Sequence, residues 1–145
     1  MKATQKPAQP ASDVQVTPAD ILRGAAAYLQ LNGWIKGYFF DLSMNPGPAF
    51  PPACTGSAIC TAAIGHPFTP GDLPSGPDGT NALRALVAFA GYIVDYAWDF
   101  DYVRDAASDI VADWNDEAER TFTEVKAALE DAAAQWDHVH PAVTP

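Results

Sequence analysis

Cys54, Cys60 and His66 form a Cys-x5-Cys-x5-His set, and His138-Val139-His140 adds two imidazoles near the C-terminal end. These residue types bind soft metals and act as nucleophile or base. Zinc sites, however, usually pair ligands about two to four residues apart and use four of them, so the spacing does not read as zinc. Cys54 or Cys60 with His66 and Asn115 also supplies the types of a nucleophile, base and orienter set. Cys60 lies in an apolar run, and such surroundings raise a thiol's pKa and dull it. Six residues along one helix separate two α-carbons by ~9 Å, whereas a disulfide needs them within ~7 Å. Free thiols are expected. The chain has no Gly-rich phosphate loop, no Gly-x-Ser-x-Gly elbow and no paired-His motif. No catalytic residue, metal site or cofactor is therefore expected.

A different chemistry comes from Asp101, Asp105, Asp109 and Asp113, which recur every four positions. Val103, Ala106, Ala107, Ile110, Val111 and Trp114 recur beside them at the helical period. One helix carrying both has an apolar face and a carboxylate every turn, spaced by ~6 Å. Such a stripe can hold a hard cation through water, meet a basic partner, or stand solvated. The four aspartates are the candidate partner-binding residues, with a basic protein as the partner.

The charge balance agrees. Residues 1–94 hold five acids and five bases, residues 95–145 thirteen acids and three bases, so the whole net charge of −10 sits in the last third. That field repels phosphate, and nucleic acid is not an expected partner. No run approaches the ~18 apolar residues of a membrane helix, and the first thirty residues lack a secretory layout. A cytoplasmic or virion location is expected.

The elements that must position these residues follow from local signals. A length of 145 residues favours one domain with a real core. Residues 1–16, rich in Ala, Pro, Gln and Ser, read as a flexible arm, 17–137 as a single helical domain, and 138–145 as a tail. Thr17-Pro18-Ala19-Asp20 caps a first helix that ends at Asn32-Gly33, with Ile21, Leu22, Ala25, Tyr28 and Leu29 inward. Trp34 to Leu42 is aromatic and β-branched, which predicts a small β element near residues 35–42. Thr55 to Ile64 reads as a short buried helix stopped by Gly65-His66-Pro67. Leu83, Leu86, Val87, Ala90, Ile93 and Val94 mark the buried face of the next helix, capped by Asp78 or Thr80. Crowded aspartates predict a break around residues 98–105. Thr121-Phe122-Thr123-Glu124 is a capping box for a last helix lined by Val125, Leu129, Ala132, Ala133 and Trp136. The expected fold is mainly α, a compact bundle of four or five helices.

Three segments carry a resemblance. Trp114-Asn115-Asp116 followed by Arg120-Thr121-x-x-Glu124-Val125, Gly33-Trp34-Ile35-Lys36-Gly37, and Cys54-Thr55-Gly56-Ser57-Ala58-Ile59 are together similar to a family of small uncharacterised actinobacterial and actinophage proteins. Members usually have Pro-Gly where this chain has Ala118-Glu119. The resemblance spans about residues 17–136 and implies an actinobacterial or phage origin, with no activity attached. Trp114, Asn115, Asp116, Arg120 and Thr121 read as fold-locking: a buried ring, Asn115 or Asp116 bonding backbone in the turn, an Arg120–Asp116 pair, and a cap at Thr121.

The expected function is a non-catalytic interaction or structural protein acting within a larger assembly. Two alternatives stand beside it. One is an acidic inhibitor, DNA-mimic-like, that blocks a basic site on a host protein. The other is a small Cys- or metal-dependent enzyme.

Overall fold

The computed structural model describes residues 15–94 and 100–142. Among them are five α-helices: α1 (Pro18–Asn32), α2 (Thr55–Ile64), α3 (Pro77–Val94), α4 (Phe100–Asn115) and α5 (Phe122–Val139). A single 3-10 turn, Pro70–Asp72, follows α2. The fold is mainly α, as the periodicity predicts.

Helix ends are satisfied locally. Thr17 Oγ1 accepts the Asp20 N–H, and the Asp20 carboxylate accepts the Thr17 N–H, each at 3.1 Å. Thr121 and Glu124 repeat this reciprocal box at the start of α5. Each box answers two N–H groups that a helix start leaves without a partner. Gly33 and Gly65 end α1 and α2 at φ of 108° and 97°, where a side chain would strain the backbone.

Helix α2 is the centre of the bundle. Its residues Thr55 through Thr61 are all buried, and it packs against α1, α3 and α4. Around it, α1 packs chiefly on α5 and α3 on α4. Phe89, Leu22, Leu29, Ile59, Leu86 and Leu129 are the largest side chains removed from water. Each contributes about 1.5–3 kcal/mol by the area it buries. The Arg23 guanidinium of α1 pairs with the Asp137 carboxylate of α5, both half exposed.

The expected β element is not a strand. Residues 33–41 form an irregular loop that straddles Ala53, with one bridge on each side: Trp34 to Ala53 parallel and Phe40 to Ala53 antiparallel. Ile35 N–H donates to Ala53 O, Ala53 N–H to Gly33 O, Asp41 N–H to Pro52 O, and Cys54 N–H to Phe39 O. Gly37, at φ 82°, breaks the extended run. Pro46, Pro48, Pro51 and Pro52 lack the N–H groups a partner strand would offer.

The buried face of α3 follows expectation except at Leu83. Leu86 and Ala90 are buried, Val87, Ile93 and Val94 pack against the core, and Ala82, Ala85 and Phe89 join them, whereas Leu83 is 39% exposed. On the same buried side a Cβ at Gly79 would collide with the Pro74 carbonyl oxygen, so the helix meets the preceding loop backbone there. Residues three, seven and ten positions on then face the core.

Helix α5 runs to Val139, two residues into the expected tail, and residues 143–145 lie outside the described residues. The expected arm also lies outside them, apart from exposed Gln15 and Val16. Of the expected break at 98–105, residues 100–105 are helical, while 95–99 lie outside the described residues. No helix of the described residues is long and apolar enough to cross a membrane.

Candidate functional site

The three segments that carry the resemblance meet at one side chain. Asn115, the last residue of α4, is fully buried. Its Oδ1 accepts from Trp34 Nε1 at 2.6 Å, from Thr55 N at 3.0 Å and from Thr55 Oγ1 at 2.6 Å. Its Nδ2 donates to Ile35 O at 3.1 Å and to Asp116 Oδ1 at 2.9 Å. Only a side-chain amide offers an acceptor and two donors at such a point. The amide spends all of its hydrogen-bonding capacity within the protein.

Its neighbours are consumed in the same way. Asp116 Oδ1 also accepts the Gly37 N–H at 2.9 Å. Lys36 Nζ donates to the carbonyls of Glu117 and Ala118 at 2.7 and 3.0 Å. Trp114 is half-buried, edge-on to Phe89 with ring centroids 5.3 Å apart. The Arg120 guanidinium lies 4.0 Å from the Trp114 ring centre, and its Nε donates to Trp114 O. Arg120 pairs with Glu117 at 2.9 Å rather than with Asp116, whose carboxylate serves Gly37 and Asn115. Asn115 and Asp116 likewise bond the distant 35–37 and 55 segments instead of their own turn. Thr121 caps α5 as expected.

The four aspartates of α4 share one exposed side. Asp101, Asp105, Asp109 and Asp113 are all exposed, while Val103, Ala107 and Val111 of the same helix are buried. Arg104 pairs with Asp101 at 3.5 Å and with Asp105 at 3.1 Å. Among the described residues, no three His, Cys, Asp or Glu side chains gather as a cation site.

The cysteine and histidine set does not come together as a reacting group. Cys54 and Cys60 are buried free thiols, as expected, and His66 is exposed with its ring edge-on to Phe68. Cys54 is the N-cap of α2, its sulfur accepting the Ser57 N–H at 3.5 Å. Burial, with Cys54 close by, pushes the Cys60 thiol up to about 12.

Sequence reasoning missed an exposed apolar loop. Tyr38, Phe39, Leu42, Met44 and Phe50 are exposed by 76%, 48%, 76%, 67% and 43%, all on one loop of thirteen residues. Beside them opens a cleft of about 510 Å³, lined mainly by Phe40, Leu42, Pro48, Pro51, Pro67 and Phe68, with Asp72 its one charged residue. Phe50 is anchored edge-on to Tyr28, whose hydroxyl donates to Pro51 O at 2.6 Å. The available signal is composition: large apolar residues interleaved with prolines between Tyr38 and Pro52.

No curated protein and no solved structure matches this chain. A family model does, over residues 13–135, a span that contains all three converging segments and the apolar loop. The chain belongs to the family of unknown function DUF6197.

Proposed function

We infer that the chain is a non-catalytic interaction or structural protein, of an actinobacterium or its phage, that works within a larger assembly. The observation behind this reading is the apolar loop. Five large apolar side chains stand exposed on residues 38–50 beside an apolar cleft. Large apolar side chains left exposed so close together on one loop favour a contact surface over a solvated one. Asn115 spends its side-chain amide on holding three segments together, and the exposed Asp116 joins it through one carboxylate oxygen.

A second reading has the exposed stripe of Asp101, Asp105, Asp109 and Asp113 behind it. In that reading the chain is an acidic inhibitor that covers a basic site on a host protein, and its binding weakens with salt.

The test is site-directed photo-crosslinking in the native host, with the reactive residue placed at Phe39 or at Asp109. Adducts from position 39 to one protein at fixed stoichiometry, insensitive to salt, support the first reading. Adducts from position 109 alone, lost at high salt, overturn it in favour of the inhibitor. Adducts from neither position overturn both.

A further inference from the structure

We propose that the cleft beside the apolar loop seats this chain's own N-terminal segment, with Lys6-Pro7-Ala8-Gln9-Pro10 lying along it and Lys6 meeting Asp72. The proposal stands apart from the reading of the loop as a contact surface. Tyr38 and Phe39 do not line the cleft and stay exposed for a partner.

The chemistry of the cleft fits the segment. Its walls are Phe40 and Phe68, both partly buried against the core, with Pro48, Pro51 and Pro67. Grooves lined by aromatic side chains take Pro-x-x-Pro segments in the polyproline II form. Such segments have φ already fixed and lack the N–H groups of proline, so they lose little entropy and few hydrogen bonds on docking. Pro7 and Pro10 have this spacing.

Charge agrees. Asp72 is the one charged residue that lines the cleft. Residues 38–72 contain one further acid, Asp41, and no lysine or arginine. Lys6, next to Pro7, brings the opposite charge to an otherwise apolar stretch.

The segment reaches. Gly24 of α1 packs on Ala62 of α2, and the neighbouring Thr61 Oγ1 accepts the Phe68 N–H at 3.2 Å. One and a half to two turns of α1 separate Thr17 from Gly24, so Phe68 lies within roughly 25 Å of Thr17. Pro10 and Pro7 precede Thr17 by seven and ten residues. Extended chain of those lengths covers roughly 24 and 34 Å, which brackets the distance.

Tethering selects this occupant over a free partner. A short connection gives an effective concentration in the millimolar range, so a segment with a Kd of about 1 mM fills the cleft about half of the time. A separate protein with equal affinity would have to reach that concentration itself.

The experiment is paramagnetic broadening in the full chain, with a nitroxide on Gln5→Cys and amide signals read by NMR. The buried Cys54 and Cys60 do not take the label in the folded protein. The expected result is loss of the Phe40, Phe68 and Asp72 signals, with those of α5 unchanged. Pro7→Ala combined with Pro10→Ala should restore them. Asp72→Asn, or added salt, should restore them in part. No broadening at the cleft overturns the proposal, as does broadening centred on α4, where Lys6 would have followed the aspartates instead. Mixing isotope-labelled chains with nitroxide-bearing unlabelled ones separates the source. Equal broadening in that mixture means docking between copies and also overturns the proposal. None of these outcomes alters the crosslinking expected from position 39, so the two readings fail separately.

Discussion

The side-chain oxygen of Asn115 accepts the backbone N–H of Thr55 at 3.0 Å, so the last residue of α4 caps the first turn of α2. A helix start normally finds this acceptor within its own neighbourhood. Here it is borrowed from another helix and shared with the Trp34 indole.

Asn115→Ala leaves the Trp34 indole, the Thr55 N–H and the Ile35 carbonyl without their partner in a buried site. A fully buried group left unsatisfied costs about 1–3 kcal/mol, and the Trp34 and Ile35 groups are only part-buried. A loss of about 3–5 kcal/mol, the low end of the sum, is therefore expected in urea unfolding. Asn115→Asp keeps the acceptor but loses both donors and sets a second carboxylate beside Asp116, so it should also destabilise. Trp34→Phe, milder at about 1–2 kcal/mol, should be non-additive with Asn115→Ala. Additive losses would show that the two side chains act separately.

Gly79→Ala tests the close approach of α3 to the Pro74 backbone. The new Cβ would collide with the Pro74 carbonyl oxygen, and backbone must shift to admit it. Overpacking of this kind costs about 1–3 kcal/mol, against the ~1 kcal/mol that alanine normally gains over glycine inside a helix. A net loss of thermal stability is expected. A net gain would mean that the loop yields freely.

The parts of this fold that were legible in the sequence are those whose cause lies within a few residues. Thr17 with Asp20, and Thr121 with Glu124, are three positions apart, so residue types alone place both caps. The bundle and the roles of Gly33 and Gly65 follow from similarly local signals. Asn115 was singled out, but its partners lie 60 to 81 positions away, beyond anything spacing can reveal. Trp34 to Leu42 has strand-like composition, yet the backbone of Ala53 and the turn at Gly37 decide its path. In α3, Leu83 outranks Gly79 on any hydropathy scale, yet the glycine is the buried one, because the Pro74 backbone covers it. The exposed loop was illegible for a related reason: apolar residues do not announce which of them fail to find cover.

Cys60 links stability to alkaline pH. In the unfolded chain its thiol ionises near its ordinary 9.0, whereas burial holds it protonated to about 12 in the fold. Between these values the unfolded state binds fewer protons, so this contribution to stability is full below pH 9.0 and is lost as pH rises toward about 12. Cys60→Ala should therefore flatten the decline in unfolding free energy over that window. At neutral pH, thiol reagents should modify Cys60 only at the rate of unfolding. Rapid labelling in the folded protein would contradict its burial.

The aspartate stripe costs stability. Asp109 stands four residues from both Asp105 and Asp113 on the exposed side of α4. Asp109→Lys converts two repulsive pairs into attractive ones, each worth about 0.2–0.5 kcal/mol. A small stabilisation that shrinks with added salt is expected in thermal melts at low and high ionic strength. No change at low salt would show that the four charges are already screened.

The Asn115 junction also bears on the order of assembly. Its bonds to Trp34, Ile35 and Thr55 close chain loops of 60 to 81 residues, whereas the capping boxes close loops of three. Long loops cost more entropy to close, and their contacts form after the local ones. The junction is then expected to close after the capping boxes, once α4 has returned to the segments at 34–35 and 55. Weakening it through Trp34→Phe should speed unfolding and leave the refolding rate nearly unchanged. That outcome would assign Asn115 to the persistence of the native state rather than to the speed of reaching it.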